Sequence, residues 1–146
     1  MIFISNSPND TKTIGHRLGK LLKPGNVVGL YGELGSGKTT LVKGIASAFG
    51  IDEREIMSAS FTIIAEYNTT PHFNHVDLYR IEKASEFKEL GLWDQLGDDT
   101  ISVIEWAEKV EHELPDDTIK VRLKSVGENI REIRVEVRDE KHWNNL

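Results

Sequence analysis

Eight consecutive residues, Gly32-Glu33-Leu34-Gly35-Ser36-Gly37-Lys38-Thr39, follow the pattern G-x-x-x-x-G-K-[ST], whose chemistry is the capture of phosphate. Glycines let successive backbone N–H groups turn inward, so Gly35, Ser36 and Gly37 supply the wall of an anion cradle. The positive end of a following helix reinforces the pull. Lys38 then reaches the β and γ phosphates, Thr39 offers its hydroxyl to magnesium, and Thr40 stands beside the α phosphate. The ligand implied is ATP with Mg2+.

Such a site needs a carboxylate at the end of a neighbouring strand to hold the magnesium shell. Glu105 closes the apolar run Ile101-Ser102-Val103-Ile104 and is the first choice; Asp77, after the less apolar run Phe73-Asn74-His75-Val76, is its rival. His75 and Asp77 are two apart on a strand, so they share a face and are placed to form a hydrogen-bonded pair. His72 and His75 have no further His or Cys at a zinc-ligand spacing. Trp93 and Trp106 read as core or interface anchors. The acidic positions Glu108, Glu111, Glu113, Asp116 and Asp117 read as solvated faces.

Positioning these groups requires a strand, a loop and a helix in that order. Val27, Val28, Leu30 and Tyr31 form the strand, and Leu41, Ile45, Ala48 and Phe49 form one face of a helix closed by Gly50. Before them, a short strand over residues 1–4 precedes a helix capped at Asn9 or Asp10, carrying Ile14, Leu18, Leu21 and Leu22, and ended by Pro24-Gly25. After them, strands over 61–67 and 73–79 are joined through Asn68 to Pro71. Ser85 caps a helix reaching Leu90, and a second helical stretch, 92–96, ends near Gly97. The strand ending at Glu105 leads into a short helix stopped by Pro115. Alternation in Ile119 to Leu123 and Ile133 to Val137 marks two antiparallel strands within about 118–138, joined around 125–128 at the sheet edge. The order implies one α/β domain over residues 1–146, a three-layer P-loop NTPase fold with a mixed, partly antiparallel sheet.

The chain has no cysteine, which excludes disulfide scaffolds, thiolate zinc sites and cysteine nucleophiles. No window reaches the roughly 18 to 20 apolar residues of a membrane span, and no basic, then apolar, leader opens the chain, so the expected compartment is the cytoplasm. A formal charge of −6 argues against a general grip on nucleic acid.

Taken together, in order and at their separations, YGELGSGKTT, SASFTIIAEY, HVDLYR and IEWAEK resemble the bacterial TsaE family of tRNA threonylcarbamoyladenosine biosynthesis ATPases. The resemblance is close from about Gly29 to Lys109 and looser through the terminal strands. It implies an ATPase needed when threonylcarbamoyl is placed on the adenosine beside the anticodon. The implied role is not the transfer itself: the protein docks on the transferase subunit and its non-catalytic paralogue, resets that complex, and meets tRNA only through it. Residue by residue, Gly35, Gly37, Lys38, Thr39 and Thr40 match the family's phosphate loop, Glu105 its magnesium carboxylate, Asp77 its HxD aspartate and Trp106 the tryptophan beside the glutamate. Adenine contacts in the family point to Thr11, Lys12 and Arg131. Where the family has Ser-Pro-Thr and an aromatic, this chain has Ser58-Ala59-Ser60-Phe61. Ser60 keeps a hydroxyl, and Ala59 gives up proline's fixed φ in a nucleotide-sensing loop.

No arginine is placed as a finger in the chain, a group worth about 10³ to 10⁵ in rate where it acts, so hydrolysis by the lone protein is expected to be slow. Asp77 and Glu105 both stay open as the group that positions water. A small-metabolite kinase, using Asp77, Tyr79 and Arg80 for an acceptor, and an interaction module with a structural nucleotide are the competing readings. A GTP switch lacks its Asn-Lys-x-Asp motif.

Overall fold

A computed structural model describes residues 1–56, 63–96 and 98–146. Strand β1 (Ile2–Ser5) leads into helix α1 (Pro8–Leu21). Ser7 is extended and its hydroxyl accepts the Asp10 N–H at 3.0 Å, while Pro8 fills the first turn, where a missing N–H costs nothing. The cap is therefore Ser7 rather than Asn9 or Asp10, since the proline fixes where the helix begins. Strand β2 (Val27–Tyr31), the glycine loop and helix α2 (Lys38–Ser47) follow, and Gly50 takes a φ of 79° just beyond the helix.

Next come β3 (Ile64–Tyr67), β4 (Phe73–Asp77), α3 (Ala84–Glu89), α4 (Leu92–Leu96), β5 (Ile101–Glu105), β6 (Ile119–Gly127) and β7 (Ile130–Glu136). Among the described residues the seven strands form one sheet in the order β1-β7-β6-β2-β5-β4-β3. Its centre, β6-β2-β5-β4, is parallel, and β1, β7 and β3 are antiparallel to their neighbours. Parallel strands need both faces covered. On one face α1 and α2 bring Ile14, Leu18, Leu41 and Ile45 against Val28, Leu30, Phe73 and Val103. On the other, Phe87, Leu92 and Val110 pack against Tyr31, Val76 and Ile104. The fold is thus three-layered α/β with a mixed sheet.

Helices α1 and α2 touch backbone to backbone. A Cβ on Gly44 would lie 2.2 Å from the Lys12 carbonyl oxygen, and one on Gly15 would lie 2.6 Å from that of Leu41. Only glycine allows this approach.

Several boundaries differ from the sequence reading. Strand β4 ends at Asp77, because Leu78 leaves the ladder and Tyr79-Arg80 form a turn. Despite its polar residues, β4 is buried along its whole length, as β5 is. Helix α3 starts at Ala84, with Lys83 in the cap position and no capping bond from its side chain, so Ser85 lies inside it. The segment before Pro115 is a 3-10 helix, Ala107–Glu113. Strand β6 runs to Gly127 through a bulge after Ser125, so the hairpin turns at Glu128-Asn129. Strand β7 is not the edge, because β1 pairs along its outer side. The expected start of β3 at 61, the end of α4 near Gly97 and the Ser58-Ala59-Ser60-Phe61 segment lie outside the described residues.

Candidate nucleotide-phosphate site

The loop leaves β2 with Gly32 at φ 152°, turns at Gly35 with φ 80°, and enters α2 through Gly37 at φ 101°. Gly35 and Gly37 lie in the left-handed region, where a side chain is strained. No side chain caps α2, so the N–H groups of its first turn stay available to an anion. Leu34, Gly35, Gly37, Lys38, Thr39, Thr40, Asp77, Tyr79, Glu105, Trp106 and Arg131 line a cleft of about 370 Å³ around this helix end.

Lys38 is 5% exposed. Its ammonium donates to the carbonyls of Gly32 and Glu33, the latter at 2.9 Å, and lies 3.7 Å from the centroid of the Trp106 ring. Burial pulls its pKa below the ordinary lysine value, against the opposing pull of Glu108, Glu105 and Asp77. Trp106 follows β5 directly in the left-handed region, φ 62°, and its ring lies 5.4 Å from that of Tyr79. Lys109 ties this wall together, donating to the carbonyls of Tyr79 at 2.6 Å and Ile81 at 2.9 Å.

Register brings the two candidate carboxylates together. Asp77 on β4 is directly opposite Glu105 on β5. Glu105 is 2% exposed; its Oε1 accepts the Thr39 hydroxyl at 2.9 Å and its Oε2 contacts His75 Nε2 at 2.6 Å. The expected pairing of His75 with Asp77 is therefore replaced by His75 with Glu105. The imidazole reaches across to the neighbouring strand, whereas Asp77 Oδ1 accepts the Tyr79 N–H at 3.0 Å. Thr39, Asp77 and Glu105 bring oxygen donors to the cleft, the set a hard cation such as magnesium takes beside phosphate. Among the described residues no group of three or more His, Cys, Asp or Glu could hold a metal by itself.

A smaller recess continues from Gly37 and Thr40 to Ser7, Pro8, Thr11, Asn129 and Arg131. Arg131 Nη2 donates to the Gly35 carbonyl at 3.2 Å, and Thr11 shares a 2.7 Å hydrogen bond with Ser5. Lys12, expected beside them, instead pairs with Glu53 at 2.7 Å. Ser36 points its side chain under the loop, where its hydroxyl is buried without a partner, and its N–H bonds the Glu33 carbonyl at 3.1 Å. Ser36 therefore shapes the cradle without facing it. Ser60 is outside the described residues.

The sequence reading missed Asn129, whose φ of 62° forms the hairpin turn at the recess, and the contacts of two acidic residues it placed on solvated faces. Glu108 accepts the Gly32 N–H at 3.2 Å, and Glu111 accepts the Tyr31 hydroxyl and the Lys120 ammonium. Neither is merely a solvated charge. A turn of 3-10 helix, rather than α-helix, aims both at the end of β2.

A parallel sheet core that delivers a glycine loop onto an uncapped helix end, with hydroxyl and carboxylate at its rim, defines a P-loop nucleotide-binding protein. Within that class the chain belongs to the TsaE family. The family model for the threonylcarbamoyl adenosine biosynthesis protein TsaE matches residues 5–133. The chain is 39% identical over 132 residues to the tRNA threonylcarbamoyladenosine biosynthesis protein TsaE of Treponema pallidum (strain Nichols), covering 90% of this chain and 97% of that one. It is 40% identical over 129 residues to the TsaE of Bacillus subtilis (strain 168), covering 87% and 79%. The crystal structure of Bacillus subtilis YdiB superposes with a TM-score of 0.74 at 30% identity, over 99% of this chain and 90% of that one.

Proposed function

We propose that the chain, as one domain over residues 1–146, binds ATP with magnesium and serves threonylcarbamoyl modification of the tRNA adenosine beside the anticodon. The observation that carries this reading is the uncapped start of α2, with buried Lys38 on one side and the Thr39–Glu105 hydrogen bond on the other. Gly35 to Thr40 would hold the phosphates, with Ser36 contributing through the loop backbone. Thr39 and Glu105 would hold the magnesium, which when bound spreads the charge of the β and γ phosphates. Thr11 and Arg131 would meet the adenine side; Lys12, paired with Glu53, would act there only after leaving that partner.

Lys38 steadies charge on the transferring phosphoryl group, and Asp77 or Glu105 orients the attacking water. Among the described residues Lys38 and Arg131 are the cations lining the cleft, and Arg131 is held at the Gly35 carbonyl. Hydrolysis is therefore slow in the isolated protein. Trp106, with Ser60 on the sensing loop, faces the partner: the transferase subunit and its non-catalytic paralogue, which the ATP cycle resets and through which alone the protein meets tRNA. No helix among the described residues is long and apolar enough to cross a membrane, and the setting proposed is the cytoplasm.

The test is multiple-turnover tRNA threonylcarbamoylation reconstituted from the other components, with and without this protein, ATP-magnesium and Lys38→Ala. Modification should pass one turnover only with the intact protein and ATP. Equal modification without the protein would refute the reading.

A further inference from the structure

Glu105 has both carboxylate oxygens committed within a buried setting: Oε1 to Thr39 and Oε2 to His75, whose side chain is 4% exposed. A carboxylate oxygen can only accept, so the imidazole donates through Nε2–H. The Thr39 hydroxyl has one hydrogen, which it gives to Oε1, and its lone pairs remain for the cleft. Strand register makes this geometry specific. His75 lies opposite Val103, two residues before the Asp77–Glu105 pair, so the imidazole approaches Glu105 from within the sheet and leaves its cleft side open.

We propose that His75 is a positioning residue: it fixes the Glu105 carboxylate, which in turn orients the Thr39 hydroxyl toward the magnesium ion accompanying the phosphates. This rests on the magnesium reading above. His75 does not line the cleft, so its contribution passes through Glu105. Without it the carboxylate is free to rotate about its own stem, and the Thr39 hydrogen loses a fixed acceptor.

The experiment measures binding of a fluorescent ATP analogue in EDTA and in magnesium for the wild type, His75→Ala, His75→Gln and His75→Asn. The amide nitrogen of glutamine extends as far as Nε2, and that of asparagine falls short. Loss of such an outer partner characteristically lowers metal affinity about 10-fold or more, so alanine and asparagine should lose most of the magnesium-dependent gain and glutamine should stay within about 3-fold of wild type. Binding in EDTA should be alike in all folded variants. The asparagine and glutamine pair decides the matter even where the alanine variant does not fold. A full magnesium gain in His75→Asn, or an equal loss in His75→Gln, would overturn the inference while leaving the nucleotide site standing. A wild type that gains nothing from magnesium would overturn the magnesium reading itself, and this inference with it.

Discussion

The Lys38 ammonium lies 3.7 Å from the centroid of the Trp106 ring, and the residue carrying that ring holds its backbone at φ 62°. A left-handed conformation costs a bulky residue roughly 1–2 kcal/mol, so the fold maintains strain where it aims an aromatic face at the phosphate-loop lysine. Phosphates drawn to Lys38 will change what that ring senses. ATP binding should therefore alter tryptophan emission, and Trp106→Phe should remove most of the change. Trp93 packs on Phe87 and Trp143 is buried in the other core, so neither reports on the cleft. A full signal in Trp106→Phe would show that the ring is indifferent to the phosphates.

Lys38→Met should weaken ATP binding by about 1.5–3 kcal/mol, roughly 10- to 150-fold, through loss of a charged hydrogen bond to phosphate. The same variant tests the burial of the ammonium. A lysine whose folded pKa is depressed makes the unfolded chain hold more protons between that value and the ordinary 10.5. Wild-type stability relative to Lys38→Met should consequently rise as pH climbs through that window. Thermal melts between neutral pH and about 10 would show a flat difference if the ammonium were effectively solvated.

Glu111 gives a slope of the same sign at the acid end. The Lys120 ammonium and then the Tyr31 hydroxyl hold its carboxyl below the usual glutamate range. Its contribution is present above the ordinary value of 4.5 and is lost as pH falls through the lower folded value. Because the side chains of the pair are 31% and 37% exposed, Glu111→Gln should cost only about 0.5–1 kcal/mol at neutral pH. The melting temperatures of the two proteins should converge on acidification.

Gly44→Ala should be the more damaging change, although it adds one methyl group. The new Cβ would meet the Lys12 carbonyl at 2.2 Å, which forces α1 and α2 apart. Overpacking of this kind costs about 1–3 kcal/mol, and melting should fall by at least several degrees. ATP affinity should fall with it, since α1 carries Thr11 and α2 carries Thr40 on opposite sides of one recess. An unchanged melt would mean that the helices separate freely.

What was legible in the sequence was what local pattern encodes. The apolar run 27–31, the glycines and the helical face after Lys38 are contiguous, so the phosphate loop and its flanking elements could be read directly. Glu105 was legible because β5 is almost wholly apolar. Strand β4 was underrated because Asn74 and His75 look solvated in sequence, yet β3 and β5 flank them and both are buried. The partner of His75 depends on cross-strand register, which leaves no trace in spacing along one strand. The Glu108 contact was missed for a related reason: the residue is exposed, as its acidic stretch suggests, yet a 3-10 turn brings its carboxylate to the Gly32 N–H. Ser7 was overlooked because its proline neighbour, a good first helical residue, also reads as a breaker.

The edge position of β1 has a consequence for how the molecule is made. Strand β1 is made well before its partner β7, Ile2 finding Arg134 and Phe3 finding Ile133. A nascent chain can assemble the glycine loop early, but Arg131 reaches Gly35 only once β7 exists. A product cut short before β7 would thus carry the phosphate motif without the strand that pairs with β1 and without the Arg131 contact to the Gly35 carbonyl. Synthesis of β7 and closure of the recess beside Gly35 are coupled by topology.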